Sequence, residues 1–477
     1  MWCRGRRFEC CSCPKRLMAC PRSILSSGAL LSKRKLLPWW AWGSQGQPPA
    51  SLASAGEGNF IHTASEHGQG KRKYQEGQPG QDLGFWQERL ADQLLPLWRL
   101  MNEEQLKVKF EVTKKTLEQL QHRLHKLGTV VAEAERPSGL LQPFIPSPVI
   151  EGYRNKSVFS VNRGPDGHQR TVGCFLRSPG GKKMFCVPAD HLKTVPARHL
   201  QVAQCYEAFL KQTPLDPRLD IHQLGPWRRL RVRTSSQGHT MAIITFHAQG
   251  LSQEAICAQK ERAKEFFTSG PGAVCDLTSL YLKERVTSSP KQSCFHHYQL
   301  LSGEPYLFED ILGLKLRISP GAFFPPNTST TEALFQVPRA SHWLSGQPRS
   351  SACDWLGRLW RMPEITNWEC QRREVDKTVA RLRKFQGDGQ ALVALVDPAG
   401  SRLPHRVIGA LRGCPAIQKL VFVSGRPHAE DMETFLQLCC PVSGQDLQGE
   451  PFTLSQAVPV DTLPHTLSSQ LVLAFTR

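Results

Sequence analysis

The chain has 477 residues and a formal net charge of +19, from 60 Lys and Arg against 41 Asp and Glu. That length supports two or three domains with a sizeable core, and that charge points to a polyanionic partner, nucleic acid first and an anionic membrane surface second. No run reaches the roughly 18 apolar residues of a membrane-spanning helix, and the 16 cysteines are spread too unevenly for a secreted disulfide framework.

Residues 1–48 crowd Lys and Arg around a single acid, Glu9, with apolar residues between them, the pattern of an arginine-rich organelle-targeting leader. The same stretch also reads as a basic tail that binds nucleic acid. Cys3, Cys10, Cys11, Cys13 and Cys20 lie here without the spaced second pair or histidine that zinc requires, so no metal site is expected. Cys174, Cys257 and Cys275 sit in apolar sequence and read as reduced core thiols. Residues 49–84, rich in Gly, Ser, Gln and mixed charge, form a flexible linker.

Structure resumes at Phe85-Trp86, opening a helical segment over 85–144. Asn102-Glu103-Glu104-Gln105 offers a capping box, and Leu106, Phe110, Leu117, Leu120, Leu124 and Leu127 recur at helical spacing up to Gly128. Lys107, Lys109, Lys114, Lys115, Arg123 and Lys126 make the wet face of that helix or meet RNA phosphates.

Residues 145–318 carry β-prone runs at Lys156–Val161, Thr171–Phe175, Lys183–Val187, Leu230–Thr234 and His239–His247, with helices over Leu200–Leu210 and Ser252–Phe267. Together they predict an α+β domain with an antiparallel sheet. The section is strongly basic. Arg154, Lys156, Arg228, Arg229, Arg231 and Arg233 are candidate phosphate contacts, the last two sharing a solvated strand face. Tyr153 and Trp227 beside them are candidates to stack exposed bases, with a core role as the other reading of Tyr153.

In residues 319–477 the apolar run from Ala391 to Val396 and a second from Leu420 to Val423 flank a helix-length amphipathic segment containing Val407, Ile408 and Leu411. Such a pattern predicts parallel strands joined by a crossover. Ligands of open α/β sheets sit past the carboxyl ends of the strands, which here are Asp397-Pro398 and Ser424-Gly425. Phe452–Val460 and Gln470–Phe475 read as a terminal antiparallel pair, with Asp461, Pro464 and His465 in their connection.

Over about Trp86–Phe324 and again from about Ile365 to the end, the chain resembles the S-adenosylmethionine-dependent RNA (uracil-5-)-methyltransferases, in their mitochondrial branch. The segment Tyr153-Arg154-Asn155-Lys156 matches that family's YR-x-K, and ISPGAFFPPNT, residues 318–328, matches its paired-phenylalanine motif. The resemblance implies a basic RNA-binding region followed by a Rossmann-like methyltransferase domain, mitochondrial import, S-adenosylmethionine as methyl donor, and 5-methyluridine formation in mitochondrial tRNA and small-subunit rRNA. No protein partner is implied.

In that chemistry a thiolate adds to uracil C6, C5 takes the methyl group, and a base removes the C5 proton. The resemblance carries the thiolate onto Gly425, the base onto Gln470, and a donor-contacting glutamine onto Pro325. The arginine expected after Asp397-Pro398 is replaced by Gly400, with Arg402 two residues on. From Val337 to Glu364 neither a Gly-rich turn nor an acid-bearing strand follows, so an early strand–helix–strand portion of the sheet is expected to be missing. Asp397 remains as a pocket residue. His405 and His465 read as surface or loop histidines, and Cys439-Cys440 as buried thiols. Three readings stay open: a methyltransferase of this family using another nucleophile, a noncatalytic RNA binder, and a protein-binding scaffold working through the amino-terminal helix.

Overall fold

The computed structural model describes residues 82–128, 137–178, 181, 183–213, 226–248, 251–285, 297–340, 379, 392–398, 403–427, 430–441 and 449–477. The leader, nearly all of the linker, the five amino-terminal cysteines, Gly400, Arg402 and almost all of the stretch where a donor-binding turn was sought lie outside the described residues.

Two helices come first. α1 (Leu83–Leu94) buries Trp86, Leu90 and Ala91. α2 (Asn102–Lys126) starts one residue earlier than a cap at Asn102 allows: the Met101 N–H donates to Glu104 Oε2 at 3.0 Å. Arg123, His125 and Lys126 in its last turn suit the negative end of the helix dipole. Gly128, at φ +82°, releases the chain in the left-handed conformation glycine tolerates best.

The central region is a seven-stranded sheet in the order β3-β2-β1-β4-β5-β6-β7, built from β1 (Lys156–Asn162), β2 (Thr171–Arg177), β3 (Met184–Val187), β4 (Trp227–Thr234), β5 (Thr240–His247), β6 (Ser279–Arg285) and β7 (His297–Gly303). All five predicted strands form, and β6 and β7 add two more. The sheet is not purely antiparallel, because β5 and β6 run parallel. A parallel neighbour needs a crossover, and α4 (Gln253–Thr268) supplies it. With α1 and α3 (Ala197–Gln212), it covers one face of the sheet around Tyr206, Phe209, Leu230, Ile244 and Phe266. Cys257 is exposed on α4 instead of buried, whereas Cys275 is buried as expected.

A hairpin of β8 (Leu307–Ile311) and β9 (Leu314–Ile318) and helix α5 (Thr328–Ala340) lead to the second sheet. That sheet has the order β10-β11-β13-β12. β10 (Leu392–Val396) and β11 (Ile417–Ser424) are parallel, joined through α6 (His405–Arg412). After α7 (Glu430–Cys439) come β12 (Thr453–Val460) and β13 (Gln470–Thr476), an antiparallel pair.

One face of the second sheet packs Leu420, Phe422, Leu473 and Phe475 against α6, α7 and the Leu117, Leu120 and Leu124 stripe of α2. Each leucine buried this way contributes about 2 kcal/mol. The stripe is thereby covered by its own chain. The other face places Leu395, Val421, Val423 and Val472 in a shared core with Met241, Ile243 and Tyr281 of the central sheet. The free side of β12 is covered by residues 141–145, through Leu141↔Ala457 and Ile145↔Val460. β10 stands at the opposite edge, with no further strand beside it among the described residues.

Candidate functional site

Because β10 and β11 pair in parallel up to Val396↔Phe422, their carboxyl ends open on the same side of the sheet. Asp397 follows β10 and is half-buried. The Ser424 hydroxyl, at the end of β11, donates to Asp431 Oδ2 at 2.6 Å, and the Arg426 N–H donates to the same oxygen at 3.3 Å. An acid at the start of α7 therefore braces the turn that carries Gly425. The antiparallel register of β11 and β13 runs to Ser424↔Leu471, with Gly425 directly following β11 and Gln470 opening β13, where it pairs with Val460. Strand register thus brings together two positions that sequence alone could only name.

The connection from Asp461 to Thr466 forms the adjoining wall. Lys109 reaches it from α2, placing Nζ 2.6 Å from Asp461 Oδ1 and donating to the Leu463 carbonyl at 3.0 Å, with both charged side chains fully enclosed. Burial pushes the Lys109 ammonium below its ordinary pKa, and Asp461 opposes that shift. Gln105 accepts from the His465 backbone N–H at 2.7 Å and meets His465 Nδ1 at 3.1 Å. The Tyr153 hydroxyl donates to the Pro464 carbonyl at 3.1 Å. His465 is accordingly a buried residue at φ +66°, not a surface histidine, and burial lowers its pKa. His405 is exposed at the start of α6, as expected, and Cys439 and Cys440 are buried.

Pro325 lies in an irregular segment. Phe324 is in the core at 2% exposure, whereas Phe323 is 48% exposed. The Pro325 carbonyl accepts from Asn155 Nδ2 at 2.7 Å, and proline has no N–H to give a ligand. Asn327 caps α5 and also donates to the Ser147 hydroxyl and the Thr462 carbonyl, so this segment is tied to the Asp461–Thr466 wall. None of the positive-φ glycines among the described residues follows β10 or β11. The described residues therefore do not make a cradle for a nucleotide-type methyl donor, whose backbone approach needs such a turn.

The eight RNA-contact candidates separate by burial. Trp227 is core: its ring packs at 4.7 Å from Phe246 and 5.1 Å from Phe209, with no face open to a base. Tyr153, at 7% exposure, is likewise enclosed. Arg233 is 4% exposed and donates to the Ala322 carbonyl, so it clamps the 319–324 segment instead of facing solvent. Lys156 is buried beside Arg233, and burial with the nearby guanidinium charges brings its pKa to about 6, removing its charge at neutral pH. Lys109 is also withdrawn from the wet face of α2. Arg154, Arg228, Arg229 and Arg231 remain half-exposed. Arg231 Nη1 lies 3.3 Å from the Pro320 carbonyl.

No protein-family model matches the chain. It is 46% identical over 496 residues to the Homo sapiens tRNA (uracil-5-)-methyltransferase homolog B, covering 96% of this chain and 97% of that protein. The chain belongs to the tRNA (uracil-5-)-methyltransferase family. The Danio rerio homolog B is 38% identical, over 82% of this chain and 87% of its own. The crystal structure of the Pyrococcus abyssi tRNA (uracil-54, C5)-methyltransferase in complex with S-adenosyl-L-homocysteine superimposes with a TM-score of 0.50 at 17% identity, covering 80% of this chain and 85% of that one. That likeness establishes the mixed α+β architecture with a Rossmann-like sheet. The alignment with the human member is longer than this chain, 496 against 477 residues, so that relative contains residues with no counterpart here.

Proposed function

We propose that this family member retains RNA binding while methyl transfer is lost or severely impaired. The activity it descends from is S-adenosylmethionine-dependent formation of 5-methyluridine in tRNA and small-subunit rRNA. The observation that carries the reading lies at the carboxyl end of β11: the last pair with β13 is Ser424↔Leu471, and the nucleophile position, Gly425, and the base position, Gln470, flank that pair. Glycine offers no nucleophile, and a neutral amide takes up no proton at working pH. Pro325 at the donor-contact position supports weak donor binding, because proline has no N–H to offer a ligand. Asp397 is the pocket residue that keeps useful chemistry, by accepting hydrogen bonds from a base or ribose.

RNA binding rests on the net charge of +19 and on the half-exposed guanidiniums of Arg154, Arg228, Arg229 and Arg231. The leader-like composition of residues 1–48 supports import into the mitochondrial matrix, where mitochondrial tRNA and small-subunit rRNA would be the partners. Among the described residues no helix is long and apolar enough to cross a membrane.

Two titrations on the purified chain test this reading. Unmodified mitochondrial tRNA should bind with an affinity that falls steeply as salt rises, because phosphate contacts release counterions. S-adenosylmethionine, followed by calorimetry, should give no saturable heat. Salt-independent tRNA binding, or tight binding of the donor, counts against the proposal.

A further inference from the structure

The register of the central sheet sets Ser160, Arg229, Thr245, Lys283 and Tyr298 side by side across β1, β4, β5, β6 and β7. The next row is Val158, Arg231, Ile243, Tyr281 and Leu300, and the one beyond contains Lys156, Arg233, Met241 and Ser279. Met241, Ile243 and Tyr281 belong to the core shared with the second sheet. Burial therefore fades along this face. Arg233 is enclosed, whereas Arg229, Arg231, Thr245, Lys283 and Tyr298 are all half-exposed. Lys283 and Tyr298 lie on strands that the sequence did not reveal, so neither was among the candidates.

These side chains form one charged group. Lys283 Nζ lies 5.3 Å from the Tyr298 ring centre. Burial raises the Tyr298 phenol, but the charges of Arg231 and Lys283 and their hydrogen bonds to it outweigh that and bring it below its ordinary pKa. Burial is also the largest influence on the Lys283 ammonium and lowers it; Arg231 and Arg229 lower it further, while Tyr298 opposes them. Gly321 packs against the Tyr298 ring, where an added Cβ would come within 3.3 Å of it. An anion that bridges two guanidiniums and an ammonium on this half-exposed face is attracted by all three charges. A phosphodiester has the charge and the acceptor oxygens to do so, and guanidinium forks suit it.

We propose that Arg229, Arg231, Lys283 and Tyr298 form a seat for one backbone phosphate of the RNA, on the open half of the central sheet's inner face. The inference rests on the RNA-binding reading above and assigns it a place. The test measures tRNA affinity of the full chain over a salt series, comparing Lys283→Ala, Lys283→Arg and Lys264→Ala, the last an exposed lysine on α4. Circular dichroism melting of each variant accompanies the series.

Lys283→Ala should weaken binding about five- to tenfold at low salt and lower the logarithmic salt slope by about one. Lys283→Arg should restore both, and Lys264→Ala should change neither. A folded Lys283→Ala chain with wild-type affinity and slope overturns the seat while leaving RNA binding intact. A wild-type chain that binds no tRNA overturns the RNA reading and the seat together. Loss of inorganic phosphate binding in Lys283→Ala, with tRNA binding unchanged, would make it a site for free phosphate and also overturn the proposal.

Discussion

Lys156 enters β1 at 9% exposure, beside Arg233, Arg231 and Arg154, and its pKa falls from about 10.5 to about 6. Between those values the unfolded chain holds a proton that the folded chain has released, so this group makes stability rise with pH. Below about pH 6 both states are charged and the full cost of burying the charge is present; above about 10.5 the cost has gone. Lys156→Met keeps the aliphatic stem and removes the titration. In urea unfolding it should be more stable than wild type at pH 7, with the difference shrinking by about 1.4 kcal/mol per pH unit towards pH 9. A constant difference would show that Lys156 stays charged in the fold. At the opposite end of the site, adding Gly425→Cys and Gln470→Glu together returns a thiol and a carboxylate to the positions that flank the last β11–β13 pair. That double variant should still form no 5-methyluridine, because Pro325 at the donor-contact position is untouched. Nucleoside analysis of treated tRNA checks it, and clear product would locate the defect in those two residues alone.

At the scale of elements, α2 and the β12–β13 connection are held together by an enclosed ion pair. Lys109→Met leaves the Asp461 carboxylate buried without its cation and should cost about 3–5 kcal/mol, whereas Lys109→Met with Asp461→Leu should recover most of that. Thermal unfolding of the two variants distinguishes this from simple packing loss, in which the double variant would be the worse. The same pair marks what the sequence could and could not disclose. The leucine stripe of α2 was legible because burial there follows the helical period, and β10, β11 and β13 were legible because their central runs are apolar on both faces. Lys109 was misassigned to water because its partner lies more than 300 residues away in sequence, a contact that no local pattern encodes. Trp227 was taken for a base-stacking residue because arginines follow it, yet the bulge between Trp227 and Arg229 turns its ring into the aromatic core. β6 was hidden by the charges in Leu-Lys-Glu-Arg at its carboxyl end, and Lys283, the residue that completes the phosphate seat, was hidden with it.

On the scale of the whole molecule, two sheets share a core, and one inner face continues past that core as a basic surface. The positive charge is thereby divided. Lys109, Lys156, Arg233 and Arg412 are used inside the fold, while the row through Arg229 and Lys283 stays within reach of a polyanion. The proposed phosphate seat and the positions expected to carry the chemistry sit on different sheets, so under the proposal one can be lost without the other. The central claim is that this chain has kept the first and lost the second. The most direct measurement incubates the purified chain with unmodified mitochondrial tRNA and labelled S-adenosylmethionine and analyses the nucleosides. The account predicts bound tRNA with no 5-methyluridine above a protein-free control; robust, protein-dependent 5-methyluridine would contradict it and require a thiol and a donor site other than those argued from Gly425, Gln470 and Pro325.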